Sequence, residues 1–229
     1  MPEGSPLAVY TARQATLLQK TLGVPVRYAM RYGTPSIAEA LKELQEPLVL
    51  PLYPQYAEST TESVRDVLPP GVHMVEHFHD HPAYIGALAA NVRRHWEKHG
   101  RGEKLVVSFH GLPRRGAERY ESECRATARL LAEALKTADY LVTFQSRFGY
   151  APWLEPYTQP TLERLARAGV GRVDVVCPGF VADCLETLEE LGIVARRAFL
   201  AAGGRDLGLV PCLNDSPEWI SAMGEIARA

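Results

Sequence analysis

One histidine of this chain stands where a buried strand hands over to a loop. Lys104-Leu105-Val106-Val107 is a short apolar run of the kind that fills an interior parallel strand, and within Ser108-Phe109-His110-Gly111-Leu112-Pro113 the glycine and the proline end it abruptly. His110 therefore falls at a strand's carboxyl end, the place where open α/β sheets bind ligands. Its imidazole titrates near neutrality, so it can accept a proton or ligate a metal. The plainer role is a histidine that caps the strand and bonds to backbone. An acidic set lies further on, where Pro178-Gly179-Phe180 leads toward a helix. Asp183, Glu186 and Glu190 fall at i, i+3 and i+7, which puts them on one helical face with Leu185 and Leu188 on the other. Acids in a first helical turn are favoured by the helix dipole and commonly just face water.

His77, His79 and His81 alternate, and in a strand they would share one face, as metal ligands do. Asp80 and Pro82 point instead to a turn and a helix start, so the triplet reads against a metal site. Two aromatic loops suit a flat ligand better: Arg31-Tyr32, and Phe148-Gly149-Tyr150-Ala151-Pro152-Trp153 preceded by Arg147. Aromatic faces and guanidinium groups stack on a planar π-system and pair its carboxylates. Core aromatics beside a surface arginine are the ordinary alternative.

The elements that must position these residues alternate. Apolar spacing predicts a helix from Leu7 to Leu22, a strand at Val26–Met30, a helix from Ser36 to about Leu44, a strand over Pro47–Leu52, a short helix from Ser59 to Val67 and a strand at Val72–Val75. Pro82 to Lys98 is amphipathic, with Tyr84, Leu88, Val92 and Trp96 in one stripe. Beyond a loop near residue 100 come strand 104–109, helix 119–136, strand 139–144, helix 158–168, strand 172–177, helix 183–191 and a final helix from Ser216 to Ala229. Such alternation means parallel βαβ units with right-handed crossovers, and the break near 100 means two similar lobes with a cleft between them.

A chain of 229 residues can bury a substantial core. Its 25 basic and 27 acidic residues nearly cancel, which argues against nucleic acid as the partner. Cys124, Cys177, Cys184 and Cys212 form no closely spaced pair, so a structural zinc site of the usual spacing is disfavoured and reduced thiols are expected. No run reaches the roughly 18 apolar residues of a membrane span, and no export signal opens the chain, so a cytoplasmic location is expected. Peripheral contact with a membrane surface stays open.

The ordered motifs together resemble the ferrochelatase family, bacterial type. They are Glu3-Gly4-Ser5-Pro6-Leu7, Ala29-Met30-Arg31-Tyr32, Pro51-Leu52-Tyr53-Pro54-Gln55-Tyr56 with Ser59-Thr60-Thr61, the Ser108 to Pro113 signature, Gln145-Ser146-Arg147 with Pro152-Trp153-Leu154, Pro178-Gly179-Phe180 with Asp183 to Leu188, and Leu213-Asn214-Asp215-Ser216-Pro217. The resemblance implies two Rossmann-like, chelatase-type lobes of parallel sheet flanked by helices, with a porphyrin gripped between them and ferrous iron inserted into it to form haem. The lobes would be residues 1–98 and 99–212, with 213–229 a closing helix. His110 and Glu186 match the catalytic, metal-facing pair, and Glu190 matches an acidic position one turn along that conducts metal or protons. Arg31, Tyr32, Ser108 and Trp153 match the substrate-binding wall.

That assignment suits the chemistry. Two pyrrole N–H protons must leave while Fe2+ sheds water, and a cleft that bends the macrocycle exposes its nitrogen lone pairs. His110 and Glu186 can share the proton and metal duties.

The chain also departs from the family pattern. It starts at the Glu-Gly-Ser-Pro segment, where relatives first carry a strand and the lip of the cleft, so an incomplete first lobe is expected. The loop from Arg114 to Tyr120 is short, and Cys184 stands where many relatives have histidine. Glu58 occupies the place of the cluster-binding cysteine of some members, so no [2Fe–2S] cluster and no permanently bound cofactor are expected. Two other functions remain open: a chelatase for another tetrapyrrole or metal, and a non-catalytic porphyrin-binding fragment. Protoporphyrin and coproporphyrin are not distinguished.

Overall fold

The computed structural model describes residues 4–229, so Glu3 of the opening motif lies outside the described residues. Ser5-Pro6 starts α1 (Pro6–Leu22), because a proline in the first turn forfeits no helical hydrogen bond, and Gly23 closes it at φ 71° with its N–H donated to Gln19. Then come α2 (Ile37–Leu41), capped reciprocally by Ser36 and Glu39, β1 (Leu48–Val49), a π-helix π1 (Glu58–Glu62) running into α3 (Ser63–Arg65), β2 (His73–Met74) and α4 (Pro82–His99). The second part of the chain holds β3 (Lys104–His110), α5 (Glu118–Leu135), β4 (Tyr140–Gln145), α6 (Thr158–Arg167), β5 (Arg172–Val176), a π-helix π2 (Glu186–Ala195) continuing as α7 (Arg196–Ala201), β6 (Asp206–Leu209) and α8 (Pro217–Ile226).

Both sheets are parallel: β1 pairs with β2, and the larger sheet has the order β4-β3-β5-β6. Helices cover both faces of the larger sheet, which is why β3 reads as an unbroken apolar run. Leu105, Val107 and Phe109 pack with Tyr84, Leu88, Val92, Leu131 and Trp219 on one face, and Val106 packs with Leu162, Leu191, Phe199 and Leu207 on the other. By the twofold alternation of a strand, Ser108 and His110 follow Val106 onto the second face, the side of α6 and π2.

The connections leave β3 toward β4 and β5 toward β6, in opposite directions from two adjacent strands. A topological switch point results, with a crevice above the carboxyl ends of β3 and β5. His110 ends one of these strands, and Pro178-Gly179-Phe180 follows the other.

Several expected elements differ. Val26–Met30 forms no strand: only Met30 makes a bridge, to Ser36, while Val26 N–H donates to the Gln19 side chain and Arg27 pairs with Glu43. The strand over Pro47–Leu52 shrinks to two residues between prolines, which cannot donate to a ladder. The helix placed at 183–191 begins later, is π-wound and runs through α7 to Ala201. β6 is an additional strand that the alternation did not predict. Its Gly208 accommodates the Asp174 carboxylate, which a Cβ there would meet at 2.4 Å. Among the described residues no helix is long and apolar enough to cross a membrane.

Candidate active site

His110 is held from behind. Its Nδ1 lies 2.6 Å from the Gly111 carbonyl. A carbonyl only accepts, so Nδ1 is the donor, and in the neutral ring the lone pair falls on Nε2. The Tyr120 hydroxyl, from the first turn of α5, donates to the His110 carbonyl at 2.9 Å, and the Phe180 ring centroid is 6.3 Å from the imidazole. Gly111 must be glycine: a Cβ there would stand 2.8 Å from the Gln145 carbonyl and 3.1 Å from the Trp153 ring. Trp153 is thereby packed against the turn that carries His110, with Phe148 edge-on to it at 5.0 Å.

β4 ties π2, the helix that carries Glu186 and Glu190, to the strand of His110. His110 pairs with Gln145 across the β3–β4 register. The Gln145 Nε2 donates to the Glu186 carbonyl at 2.8 Å, fixing the first residue of π2, while its Oε1 accepts from Ser108 Oγ at 2.8 Å. The next residue, Ser146, adopts the left-handed backbone at φ 61° and grips Glu190 with two donors, its N–H at 2.7 Å and its hydroxyl at 2.6 Å, one to each carboxylate oxygen. Glu186 and Glu190 thus share one side of π2 about a turn apart. Burial, and then the Glu186 carboxylate that accepts from its thiol, push Cys184 up to about 12, so it stays a protonated donor beside Glu186.

Asp183 does not join this track. It precedes π2, is buried, and accepts from Asn214 Nδ2 (2.7 Å), Thr187 Oγ1 (3.1 Å) and Cys212 N (3.2 Å), so it ties the start of the helix to the segment after β6. Ser108 is also displaced from its expected role. It is fully buried with its hydroxyl spent on Gln145 and Thr158, which leaves it bracing the floor of the crevice rather than facing a ligand.

Arg31 donates through Nε to the Ser63 carbonyl at 2.6 Å and covers the Tyr32 ring at 4.5 Å. Tyr32 itself is 76% exposed, whereas burial pushes the neighbouring Tyr53 phenol up. Phe148 and Tyr150 are also strongly exposed, in the loop before Trp153. Gln145 and Ser146, which hold the Glu186 carbonyl and the Glu190 carboxylate, are the residues of the candidate site that sequence spacing left without a role. The signal was present: two polar residues end an apolar strand that flanks the strand of His110.

The ferrochelatase family model matches residues 1–229. The chain belongs to the ferrochelatase family. It is accordingly a metal chelatase, a lyase of haem synthesis. It is 55% identical over 250 aligned positions to the ferrochelatase of Azoarcus sp. (strain BH72), covering 99% of this chain and 69% of that one. With the ferrochelatase of Polaromonas sp. (strain JS666 / ATCC BAA-500) it shares 53% identity, covering 99% and 68%. Among solved structures, SirB from Bacillus subtilis with Fe3+ superposes with a TM-score of 0.69 at 14% identity, covering 98% of this chain and 91% of that one. CbiX, described as the terminal enzyme for siroheme biosynthesis in denitrifying bacteria, gives 0.63 at 19% identity, covering 98% and 93%. At these identities the two structures speak for the chelatase fold that a ferrochelatase shares, not for a common substrate.

Proposed function

We propose that this ferrochelatase-family chain inserts Fe2+ into protoporphyrin or coproporphyrin, with His110 Nε2 taking one pyrrole proton and Glu186 receiving the metal side of the exchange. The observation that carries this reading is the Nδ1 contact of His110 to Gly111 O, which makes Nε2 the accepting nitrogen of the neutral ring at the switch-point crevice. Two protons leave as the metal enters. Glu190, held by Ser146 one turn from Glu186, takes the second toward solvent. Arg31 and Tyr32 form the wall against which the flat ring is seated, with the guanidinium available to a ring carboxylate and Trp153, buried against Gly111, backing the turn that carries His110. Residues 1–98 and 99–212 form the two sides of the cleft in this reading, and 213–229 the closing helix. No resident cofactor takes part; iron is the substrate.

The test is anaerobic Fe2+ or Zn2+ insertion into protoporphyrin and into coproporphyrin, followed by the porphyrin's absorption change, for the chain and for His110→Ala. Insertion that falls by at least about 100-fold in the variant, the order of general-base contributions, supports the proposal. Porphyrin binding without insertion in the unsubstituted chain would establish the non-catalytic alternative instead.

A further inference from the structure

A second metal-binding constellation lies outside this crevice. Phe78 is buried edge-on to Tyr84 at 5.3 Å and beside Trp219 at 5.8 Å, while its two histidine neighbours turn away from that core. His77 and His79 therefore meet: their Nδ1 atoms are 3.1 Å apart. A third donor arrives from α5, with Glu123 Oε2 at 3.5 Å from His79 Nδ1, and all three ligand atoms lie within 4.8 Å of one another. Tetrahedral zinc with bonds of about 2.0–2.1 Å sets neighbouring donors roughly 3.3 Å apart, between the two measured separations. His81 takes no part, since its Nδ1 accepts from Ala83 N to cap α4.

Two imidazole lone pairs this close repel unless a proton or a cation stands between them. The surrounding contacts hold the donors in place for the second. Thr127 Oγ1 donates to the His79 carbonyl at 2.8 Å, and the Glu123 carboxylate is oriented by Tyr56 N (2.7 Å) and Arg119 Nε (2.8 Å). Asp80 stands 3.9 Å from His79 Nε2, on the side where an outer carboxylate orients a ligating histidine. Arg119 does not cancel the site's charge, because it is shared between Glu123 and Glu76, each at 2.8 Å, leaving two carboxylates on one guanidinium. His79 is nearly buried while His77 is exposed, so a cation has a route in and an open position toward water.

We propose that His77, His79 and Glu123 bind a divalent transition-metal ion such as zinc, at a site separate from the His110 crevice. Two imidazoles and one carboxylate are a donor set for zinc and its first-row neighbours rather than for calcium or magnesium. The bound ion would clip the segment before α4 to α5, the helix whose Tyr120 supports the His110 carbonyl.

The experiment is Zn2+ titration of the full chain by calorimetry with a competing chelator, alongside His110→Ala/Glu186→Gln, which silences the crevice. That double variant is expected to keep one zinc equivalent. Adding His77→Ala, an exposed position whose loss leaves the fold intact, should weaken this equivalent by about 10–100-fold or more, and zinc should no longer raise the melting temperature. Asp80→Asn should weaken it less. Zinc binding that is indifferent to His77→Ala overturns the proposal. So does a loss on His81→Ala as large as on His77→Ala. The crevice equivalent is scored separately by its dependence on His110, so either site can fail without the other.

Discussion

Gln145 joins the two halves of the candidate site: its side-chain amide donates to the Glu186 carbonyl at 2.8 Å, and its main chain stands opposite His110 in the β3–β4 register. The histidine and the carboxylate come from different strand–helix connections, so their separation is set by this one side chain and by the packing of π2 on the sheet.

Gln145→Leu should therefore do more than remove a polar group. Its Oε1 also accepts from buried Ser108, so leucine leaves that hydroxyl only Thr158 as a partner and costs on the order of 1 kcal/mol. Urea unfolding should register that loss, and insertion should slow at saturating porphyrin. Unchanged turnover would show that π2 does not depend on this link.

Glu186→Gln keeps the carbonyl that Gln145 holds and removes only the charge. Insertion is expected to fall by about 100-fold or more while porphyrin binding, read by fluorescence quenching, stays as it was. Equal loss of binding would place Glu186 in the wall instead.

Ser146→Gly separates the two grips on Glu190. Glycine accepts the φ of 61° readily and keeps the N–H, so only the hydroxyl donor is lost. Insertion should drop by roughly tenfold, in line with one charge-assisted hydrogen bond of about 1.5 kcal/mol, and stability should hardly move. Ser146→Val, strained at that φ, should lower both.

Acid should weaken the fold through His95. Burial holds it below the usual histidine value, against the opposing pull of Asp174, whose Oδ1 is 3.8 Å from Nε2. Above about pH 6.5 the ring is neutral folded and unfolded, and contributes no pH dependence. Below it the unfolded chain binds the proton first, so stability declines until the lowered folded value is passed. Melting temperatures recorded from neutrality to about pH 5 should fall, and His95→Gln should flatten part of that slope.

Cys184 should be inert to alkylation in the folded chain. With its thiol pushed up to about 12, almost no thiolate exists at neutral pH. Iodoacetamide labelling followed by peptide mass mapping should leave it unmodified until the chain is unfolded; rapid labelling at neutral pH would contradict its protonated contact with Glu186.

The site was legible in the sequence wherever the chemistry sat at the end of a strongly patterned element. β3 announces itself because both of its faces are covered, and Gly111 and Pro113 punctuate it, so the position of His110 could be counted. The spacing of Glu186 and Glu190 sets them about one turn apart on π2, but Asp183 was not separable from them. Its removal from the track depends on Asn214 and on Cys212 N, partners that only the fold delivers. β6 escaped because Gly208 breaks its apolar run in deference to the distant Asp174. Val26–Met30 has strand-forming composition, but its Val26 N–H goes to the Gln19 side chain and its Met30 N–H to the Pro35 carbonyl instead of a ladder. The alternation of His77 and His79 reported their shared side, though not through a strand, and nothing local announced Glu123.

The turn after β5 is fastened from the far side of the sheet. Tyr84, buried in α4, donates its hydroxyl to the Pro178 carbonyl, directly before Gly179 and Phe180. Were a macrocycle pressed against His110 and Phe180, as proposed above, it would meet an anvil rather than a cushion: the distortion that frees its nitrogens would have to be taken up by the ring, because the backbone beneath it is pinned to the helix layer.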